Sequence, residues 1–343
     1  MDKDLKSYTA LELRHLVEKY GRKPFLADYL FAFIHQKRVL DLNAVTPLPA
    51  AFREQLIGDG CFISSLTLAE QHHDPDGTTK LAFDVCGGGR IEAVRLSDRE
   101  RQTLCLSTQV GCRMGCSFCA TGRLGFERNL TAAQIVDQVY QAQQLCGPIH
   151  NVVYMGMGEP LDNLDEVMRS VELLNHERGV HIGIRRITLS TCGLPEGIRK
   201  LADFTLHPRL AVSLHSADDR TRQELMPIAK KYPLVRLVEA MKDYQLRTGR
   251  RLTIEYCLIR DVNDSDTHAR SLLRLLKGLS VHVNLIEMNP FGNCPFAPSP
   301  PRRVGAFAEI LTNAGIETVI RFRRGQSIKA ACGQLGATRL KPH

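Results

Sequence analysis

The stretch Cys112-Arg113-Met114-Gly115-Cys116-Ser117-Phe118-Cys119 sets three thiols at spacings of four and three residues, close enough in the chain to converge on one metal centre. A closed structural zinc site takes four ligands, and a saturated iron–sulfur cubane takes one cysteine at each iron corner. The local run supplies three. A cubane held in this way keeps one iron open, and an open metal position is where a substrate or cofactor binds and reacts. The competing reading is a zinc knuckle whose fourth ligand lies elsewhere, at Cys105 or a histidine.

Beyond Leu104-Cys105-Leu106-Ser107 the chain settles into a strand-then-helix order, the pattern of a parallel α/β fold. The periodicity predicts strands at 150–155, 186–191, 209–214, 252–259 and 281–287. It predicts helices at 131–145, 163–175, 195–202, 234–247, 265–277 and 302–314, the first opened by Thr131 as N-cap. With 104–107 as the first strand these make six βα units, a partial (βα)6 barrel over residues 101–322. In barrels the chemistry gathers at the C-terminal ends of the strands. Those ends read Met155-Gly156-Met157-Gly158-Glu159-Pro160, Ser190-Thr191-Cys192-Gly193, Ser213-Leu214-His215-Ser216 and Met288-Asn289-Pro290. Glycines let backbone approach a ligand closely, and Ser, His and Asn supply directed hydrogen bonds. Each segment alone reads as an ordinary turn; four together, downstream of a cysteine loop, read as a site.

Residues 1–100 form a small α+β accessory domain in this reading. Helical spacing runs from Ala10 to Tyr20, through Leu26, Tyr29, Leu30, Phe33 and Ile34, and from Pro49 to Ile57, with Lys19, Arg22, Lys23, His35, Lys37 and Arg38 near the ends. Mutual packing and RNA docking explain such helices equally well. Short strands follow at 62–68, 80–85 and 90–96, joined by Asp-Gly and Gly-Gly turns. Residues 323–343 make a C-terminal segment, and the run from Arg321 to Leu335 is basic and carries Cys332 beside Gly333. Cationic neighbours favour a thiolate there, although a small buried thiol in a turn reads the same way.

The chain has 343 residues, enough for one large core plus an appended domain, with 43% hydrophobic residues and no apolar run near the roughly 20 residues that span a bilayer. The start, Met1-Asp2-Lys3-Asp4-Leu5-Lys6, has no apolar signal core behind it, so a cytoplasmic location is expected. Eleven cysteines scattered through a chain of this size predict reduced thiols, not a disulfide scaffold. Cys61, Cys86, Cys146, Cys192, Cys257 and Cys294 read as structural. A formal charge of +8 favours a polyanionic partner, weakly.

Taken together, these motifs resemble the RlmN/Cfr family of radical S-adenosylmethionine (SAM) methyltransferases, which methylate adenine in RNA. The resemblance rests on Cys105-Leu106-Ser107-Thr108-Gln109-Val110-Gly111 leading into the triad, Ala120-Thr121-Gly122 after it, Arg128-Asn129-Leu130-Thr131, the Met-Gly-Met-Gly-Glu-Pro segment, Ser-Leu-His, Val262-Asn263-Asp264-Ser265, and the closing Ala-Ala-Cys-Gly-Gln-Leu. It runs from the N-terminal helices to Leu335. It implies that Cys112, Cys116 and Cys119 ligate a [4Fe-4S] cluster, and that Gly158, Glu159, Ser190, Ser213, Leu214, His215 and Asn289 bind SAM. It also implies that Cys332 accepts a methyl group, that Cys105 resolves the resulting adduct through a transient disulfide, and that Glu92 takes the ring proton.

The implied substrate is an adenine of large-subunit rRNA, methylated at carbon 2; methylation at carbon 8, or of a tRNA adenine, is the alternative within the family. An electron donor such as flavodoxin or ferredoxin is implied, and no membrane. A metal-stabilised RNA-binding protein without catalysis is the reading from another class. The chain departs from the family in having Ser327 and Lys329 just before Ala-Ala-Cys, where acidic residues are common, and in a proline-rich loop from Pro290 to Pro301. Neither departure touches a residue with an implied chemical role.

Overall fold

Thr9, one residue ahead of the first apolar-periodic stretch, caps α1 (Ala10–Lys19) in a reciprocal box with Glu12. Helices α2 (Leu26–His35) and α3 (Ala50–Gly58) follow, and their apolar faces join one continuous core with the rest of the chain. The structure is a computed structural model that describes residues 3–98, 101–292, 294–321 and 323–340. Met1 and Asp2 of the N-terminal stretch, and Phe322 of the basic segment, lie outside the described residues.

Three antiparallel strands come next: β1 (Thr67–His73), β2 (Thr79–Asp84) and β3 (Arg90–Asp98). Strand β4 (Arg101–Cys105) pairs antiparallel with β3 on one side and parallel with a later strand on the other, so the hairpins and the α/β unit share a sheet. A small hairpin of β5 (Gln109–Gly111) and β6 (Phe126–Asn129) flanks the cysteine loop and the short helix α4 (Ala120–Leu124).

The alternation then runs α5 (Ala132–Cys146), β7 (Asn151–Tyr154), α6 (Leu164–Asn175), β8 (Ile187–Thr191), α7 (Pro195–Leu201), β9 (Arg209–Ser213) and α8 (Asp219–Leu225). It continues through α9 (Leu234–Thr248), β10 (Leu252–Leu258), α10 (Asp266–Leu275), β11 (Val281–Glu287), α11 (Pro301–Asn313) and β12 (Thr318–Arg321). Among the described residues the main sheet orders its strands β1-β2-β3-β4-β7-β8-β9-β10-β11-β12, parallel from β4 onward. All seven residues of β10 are buried, as expected of a central strand covered on both faces. Residues of β3 and β4 (Val94, Thr103, Cys105) line one cavity with residues of β11 and β12 (Ile286, Ile320, Arg321), so the sheet curls into the expected partial barrel.

The predicted strands and helices from 131 to 314 coincide with the observed ones to within a residue or two at each end. Three differences have physical causes. The strand expected at 62–68 lies at Thr67–His73, because Phe62 bridges to Asp4 and the Leu66 N–H is captured by Asp137 before the ladder begins. The first barrel strand is Arg101–Cys105, with Leu106 and Ser107 already turning toward the cysteine loop. Strand β12 extends the six expected parallel strands by one; its alternating half-buried and exposed residues mark an edge.

One buried ion pair ties the chain's beginning to this frame. Lys6 lies 2.6 Å from Asp137 Oδ1 on α5, and both side chains are almost wholly excluded from water. Asp137 Oδ2 accepts the Leu66 N–H at 2.7 Å. Removing the cation strands a buried carboxylate, which costs about 3–5 kcal/mol. Lys6→Met is therefore expected to lower the urea unfolding free energy by about 3–5 kcal/mol, whereas Lys242→Met, at an exposed position, leaves it within about 0.5 kcal/mol.

Candidate active site

The cysteine loop is shaped by its glycines before any metal enters. Gly111 has φ +75°, and a Cβ there would fall 1.9 Å from the Gly125 carbonyl oxygen, which accepts the Cys112 N–H at 2.8 Å. Only glycine fits. A Cβ on Gly122 would meet the Cys116 backbone at 2.9 Å, so the loop lies directly on the first turn of α4, where Cys119 is the N-cap. Two neighbours hold the loop from outside: the Leu225 carbonyl at the end of α8 accepts the Ser117 N–H at 2.9 Å, and the Gly333 carbonyl accepts the Ala120 N–H at 2.7 Å.

Cys112, Cys116 and Cys119 line one cavity of about 170 Å³ with Gly158, Glu159, Ser190, Ser213, His215, Asn289 and Cys332. Burial pushes the Cys112 thiol up to about 12 and raises Cys119. It lifts Cys116 well above the ordinary thiol range, where mutual repulsion with Cys119 and Cys112 adds to it. Bare, these groups are thiols; iron would offset the cost of making them thiolates. Soft sulfur donors facing a shared volume suit an iron–sulfur cluster. Asn289 strengthens the fit: its Oδ1 is buried without a partner while its Nδ2 donates to the Cys332 carbonyl at 3.2 Å, so the cavity still offers an acceptor to an incoming donor.

The strand ends around the cavity are braced by one another. Gly156 packs so tightly on the turn after β4 that a Cβ would sit 2.5 Å from the Leu106 carbonyl oxygen, and a Cβ on Gly158 (φ +102°) would meet Gln109 at 2.6 Å. Glu159 is buried; its Oε1 accepts the Leu161 N–H at 3.0 Å and its Oε2 the Cys192 N–H at 2.7 Å. Burial raises its pKa, and these hydrogen bonds oppose the rise. The Ser190 and Ser213 hydroxyls are 3.4 Å apart on adjacent strands.

His215 holds a left-handed backbone (φ +57°) that non-glycine residues rarely adopt. Asn263 secures it by donating to its carbonyl at 2.7 Å, which gives the Val262–Ser265 motif a bracing role, and Phe118 of the cysteine loop stacks edge-on at 4.9 Å. Its Nδ1 accepts the Cys257 N–H at 2.9 Å, so the neutral ring carries its proton on Nε2. Leu214 contributes through its backbone, donating to the Glu255 carbonyl and accepting from Arg222; its side chain is buried and does not line the cavity.

Cys332 lies over 200 residues from the triad in sequence, yet it lines the same cavity and a second one of about 380 Å³ that it shares with Cys105 and Cys119. It is open to solvent, whereas Cys105 is half-buried. Burial pushes Cys105 up to about 12, with Arg321 at the cavity wall opposing the rise. Glu92 is buried, accepts the Gly336 N–H at 3.1 Å and lies 4.0 Å from Lys80; it holds the foot of the C-terminal segment and lines neither cavity.

Reading the sequence alone missed several participants. Cys192 and Cys257, assigned to structure, also line the triad's cavity. Glu255, an acid inside the apolar strand Ile254-Glu255-Tyr256, lines it too, with Oε1 bound to Asn284 at 2.8 Å; its placement in an apolar run was the available signal. Arg222 of α8 is fully buried beneath the β8 and β9 ends, and nothing in its local sequence sets it apart. The departures Ser327 and Lys329 stand outside both cavities, with Ser327 bonded to Asp74 in the β1–β2 turn.

Burial, with a smaller push from the Arg222 charge, lowers the His215 pKa from 6.5 to about 3. Between those values the unfolded chain binds the extra proton, so folding stability falls as pH drops through this window. The urea midpoint of His215→Gln is expected to fall less steeply than that of the wild type below pH 6.5; His35, lowered to about 3 in the same way, sustains the remaining slope.

Comparison with known proteins places this geometry. A family model for the radical SAM superfamily matches residues 106–273, and one for the ribosomal RNA large subunit methyltransferase N-terminal domain matches residues 3–60. A probable dual-specificity RNA methyltransferase RlmN from Thermus thermophilus is 46% identical over 318 residues, covering 92% of this chain and 88% of the relative. The dual-specificity RNA methyltransferase RlmN of Syntrophobacter fumaroxidans is 43% identical over 97% of this chain and 98% of its own. The crystal structure of a radical SAM methyltransferase from Sphaerobacter thermophilus superposes with a TM-score of 0.90 at 41% identity, covering 97% and 99% of the two chains. With near-complete coverage at these identities, the chain belongs to the RlmN family of radical SAM proteins.

Proposed function

We propose that this protein is a radical SAM methyltransferase that places a methyl group on an adenine ring carbon of RNA, carbon 2 of an adenine in 23S rRNA. The observation that carries the proposal is the shared cavity: Cys105 and Cys332, 227 positions apart in sequence, face one space that adjoins the cysteine triad. RNA methyltransferases are what the relatives are called, and the +8 charge suits a polyanion.

The cofactors of the superfamily are a [4Fe-4S] cluster and SAM. When bound, they supply a methyl group and the means to abstract a hydrogen atom. Cys112, Cys116 and Cys119 would hold the cluster. Glu159, Ser190, Ser213, His215 and Asn289 would hold SAM, with Gly158 and Leu214 shaping its backbone cradle.

The division of labour between two thiols follows from the substrate. An adenine ring carbon is electrophilic and cannot attack a methyl sulfonium, whereas a thiolate can. Cys332 therefore takes the methyl group first. The bond from that carbon to the ring would form as one S-methyl hydrogen is removed as an atom by the chemistry the bound cofactors supply and the ring hydrogen leaves as a proton, the surplus electron returning to those cofactors. Cys105 then attacks that sulfur: the S–S bond forms as the C–S bond breaks, the electron pair leaves with carbon, and carbon takes up a proton to become a methyl group. A dithiol reductant reopens the disulfide. Glu92 would take the ring proton. Residues 1–100 would dock the RNA, and a flavodoxin or ferredoxin would deliver electrons in the cytoplasm.

Three measurements test this. After anaerobic reconstitution, Cys112→Ala, Cys116→Ala and Cys119→Ala are each expected to lose the iron and the broad visible absorbance that the wild type and Cys61→Ala retain. Cys105→Ala is expected to accumulate an RNA-linked protein on denaturing gels, and Cys332→Ala to form no adduct. Mass spectrometry of nucleosides from treated rRNA and tRNA is expected to show 2-methyladenosine. A product carrying the methyl group at carbon 8 would redirect the assignment.

A further inference from the structure

Arg222 is the largest fully buried side chain in the described structure, at 0% exposure. Its Nη2 donates to the Cys192 carbonyl at 2.6 Å, its Nε to the Leu214 carbonyl at 3.2 Å and its Nη1 to the Tyr232 carbonyl at 3.5 Å. Every acceptor is neutral. Asp219, the carboxylate in electrostatic reach, accepts the Leu234 N–H with Oδ1 at 2.8 Å and forms no ion pair with Arg222 among the described residues. The guanidinium is thus hydrogen-bonded but not charge-balanced. An unpaired cation removed from water costs several kcal/mol, and burial lowers its pKa accordingly.

Its surroundings name the missing counter-charge. Helix α8, which carries Arg222, receives the cysteine loop through the Ser117 N–H bond to the Leu225 carbonyl at 2.9 Å. Cys192, whose carbonyl Arg222 binds, turns its side chain into the triad's cavity, and a Cβ on neighbouring Gly193 would stand 3.1 Å from Arg222 Nη2. Cys192 and Cys116 stand within electrostatic reach of the guanidinium. Three thiolates outweigh the positive charge of an oxidised cubane core, and a further electron deepens that excess. Buried anion and buried cation would each be costly alone, and each offsets the other.

We propose that Arg222 is the internal counter-charge of the iron–sulfur cluster, a positioning residue whose cation stabilises the thiolate-ligated cluster and favours its reduced state. This rests on the assignment of the cysteine triad to the cluster. A cation that favours the more negative state raises the reduction potential, so its loss makes the cluster harder to reduce. A brace acting through carbonyl hydrogen bonds alone would have no such effect.

Arg222→Lys keeps the charge and loses the three-way fork; Arg222→Gln keeps a hydrogen-bonding amide and loses the charge. In reconstituted protein, a redox titration followed by electron paramagnetic resonance is expected to show Arg222→Gln at least tenfold harder to reduce than wild type, about 59 mV for a one-electron couple, with Arg222→Lys close to wild type. Equal potentials in all three proteins, or an equal drop in both variants, overturn the proposal.

Urea unfolding of the cluster-free and reconstituted forms provides a second measurement. Arg222→Gln is expected to destabilise the loaded protein more than the cluster-free one, because the cation lacks its partner in the latter. Equal destabilisation, or a variant that fails to fold without the cluster, assigns Arg222 to the fold and overturns the proposal. Wild-type protein that binds no iron overturns the triad assignment itself, and the inference with it.

Discussion

The 2.7 Å hydrogen bond from the Ala120 N–H to the Gly333 carbonyl joins two segments more than two hundred residues apart, and the placement of Cys332 beside the cysteine loop depends on it. Beyond one short turn at Ala337–Arg339 the C-terminal segment has no helix or strand of its own among the described residues, so its polar backbone must be satisfied by other parts of the molecule. Asn289 takes the Cys332 carbonyl, Thr121 the Leu335 carbonyl, Glu92 the Gly336 N–H and Asp76 the Gly325 N–H. Each bond is worth only about 1 kcal/mol net. Together they hold Cys332 above the triad and beside Cys105.

These partners come from the accessory strands as well as the barrel, which changes what the hairpins are for. Glu92 lies on β3, and its carbonyl accepts the Ser107 hydroxyl at 2.6 Å, while the Ser107 oxygen accepts the Met157 N–H at 2.9 Å. Strand β3, the turn after β4 and the glycine-rich turn after β7 are therefore linked through a single serine. The hairpins form a wall of the cavity that holds the two distant thiols, whatever further contact they make with RNA.

The cavity floor carries its polarity in a dry setting. Cys192 is gripped from both sides, with its N–H on Glu159 and its carbonyl on Arg222, so an acid and a cation hold the two peptide groups that flank one residue. His215 is held neutral beside them. Fixed dipoles and charges of this kind act more strongly where water is excluded, and they need not reorganise when a ligand arrives. The left-handed His215 backbone is part of the same construction, because Asn263, Phe118 and the Cys257 N–H hold it from three directions.

Local pattern sufficed for much of this. The three cysteines, the strand–helix alternation from 131 to 314 and the polar strand ends are properties of short windows, in which hydrophobic period and turn chemistry decide the outcome, and the structure places those strand ends around one cavity. The approach of Cys332 to the triad and to Cys105 could be named from resemblance but not from spacing, because it arises from curling of the sheet and docking of a segment with little regular structure. The part of Glu255, the burial of Arg222 and the start of β1 at Thr67 were likewise decided in three dimensions. Burial, charge balance and backbone satisfaction are sums over neighbours distant in sequence, and no window of the chain contains them.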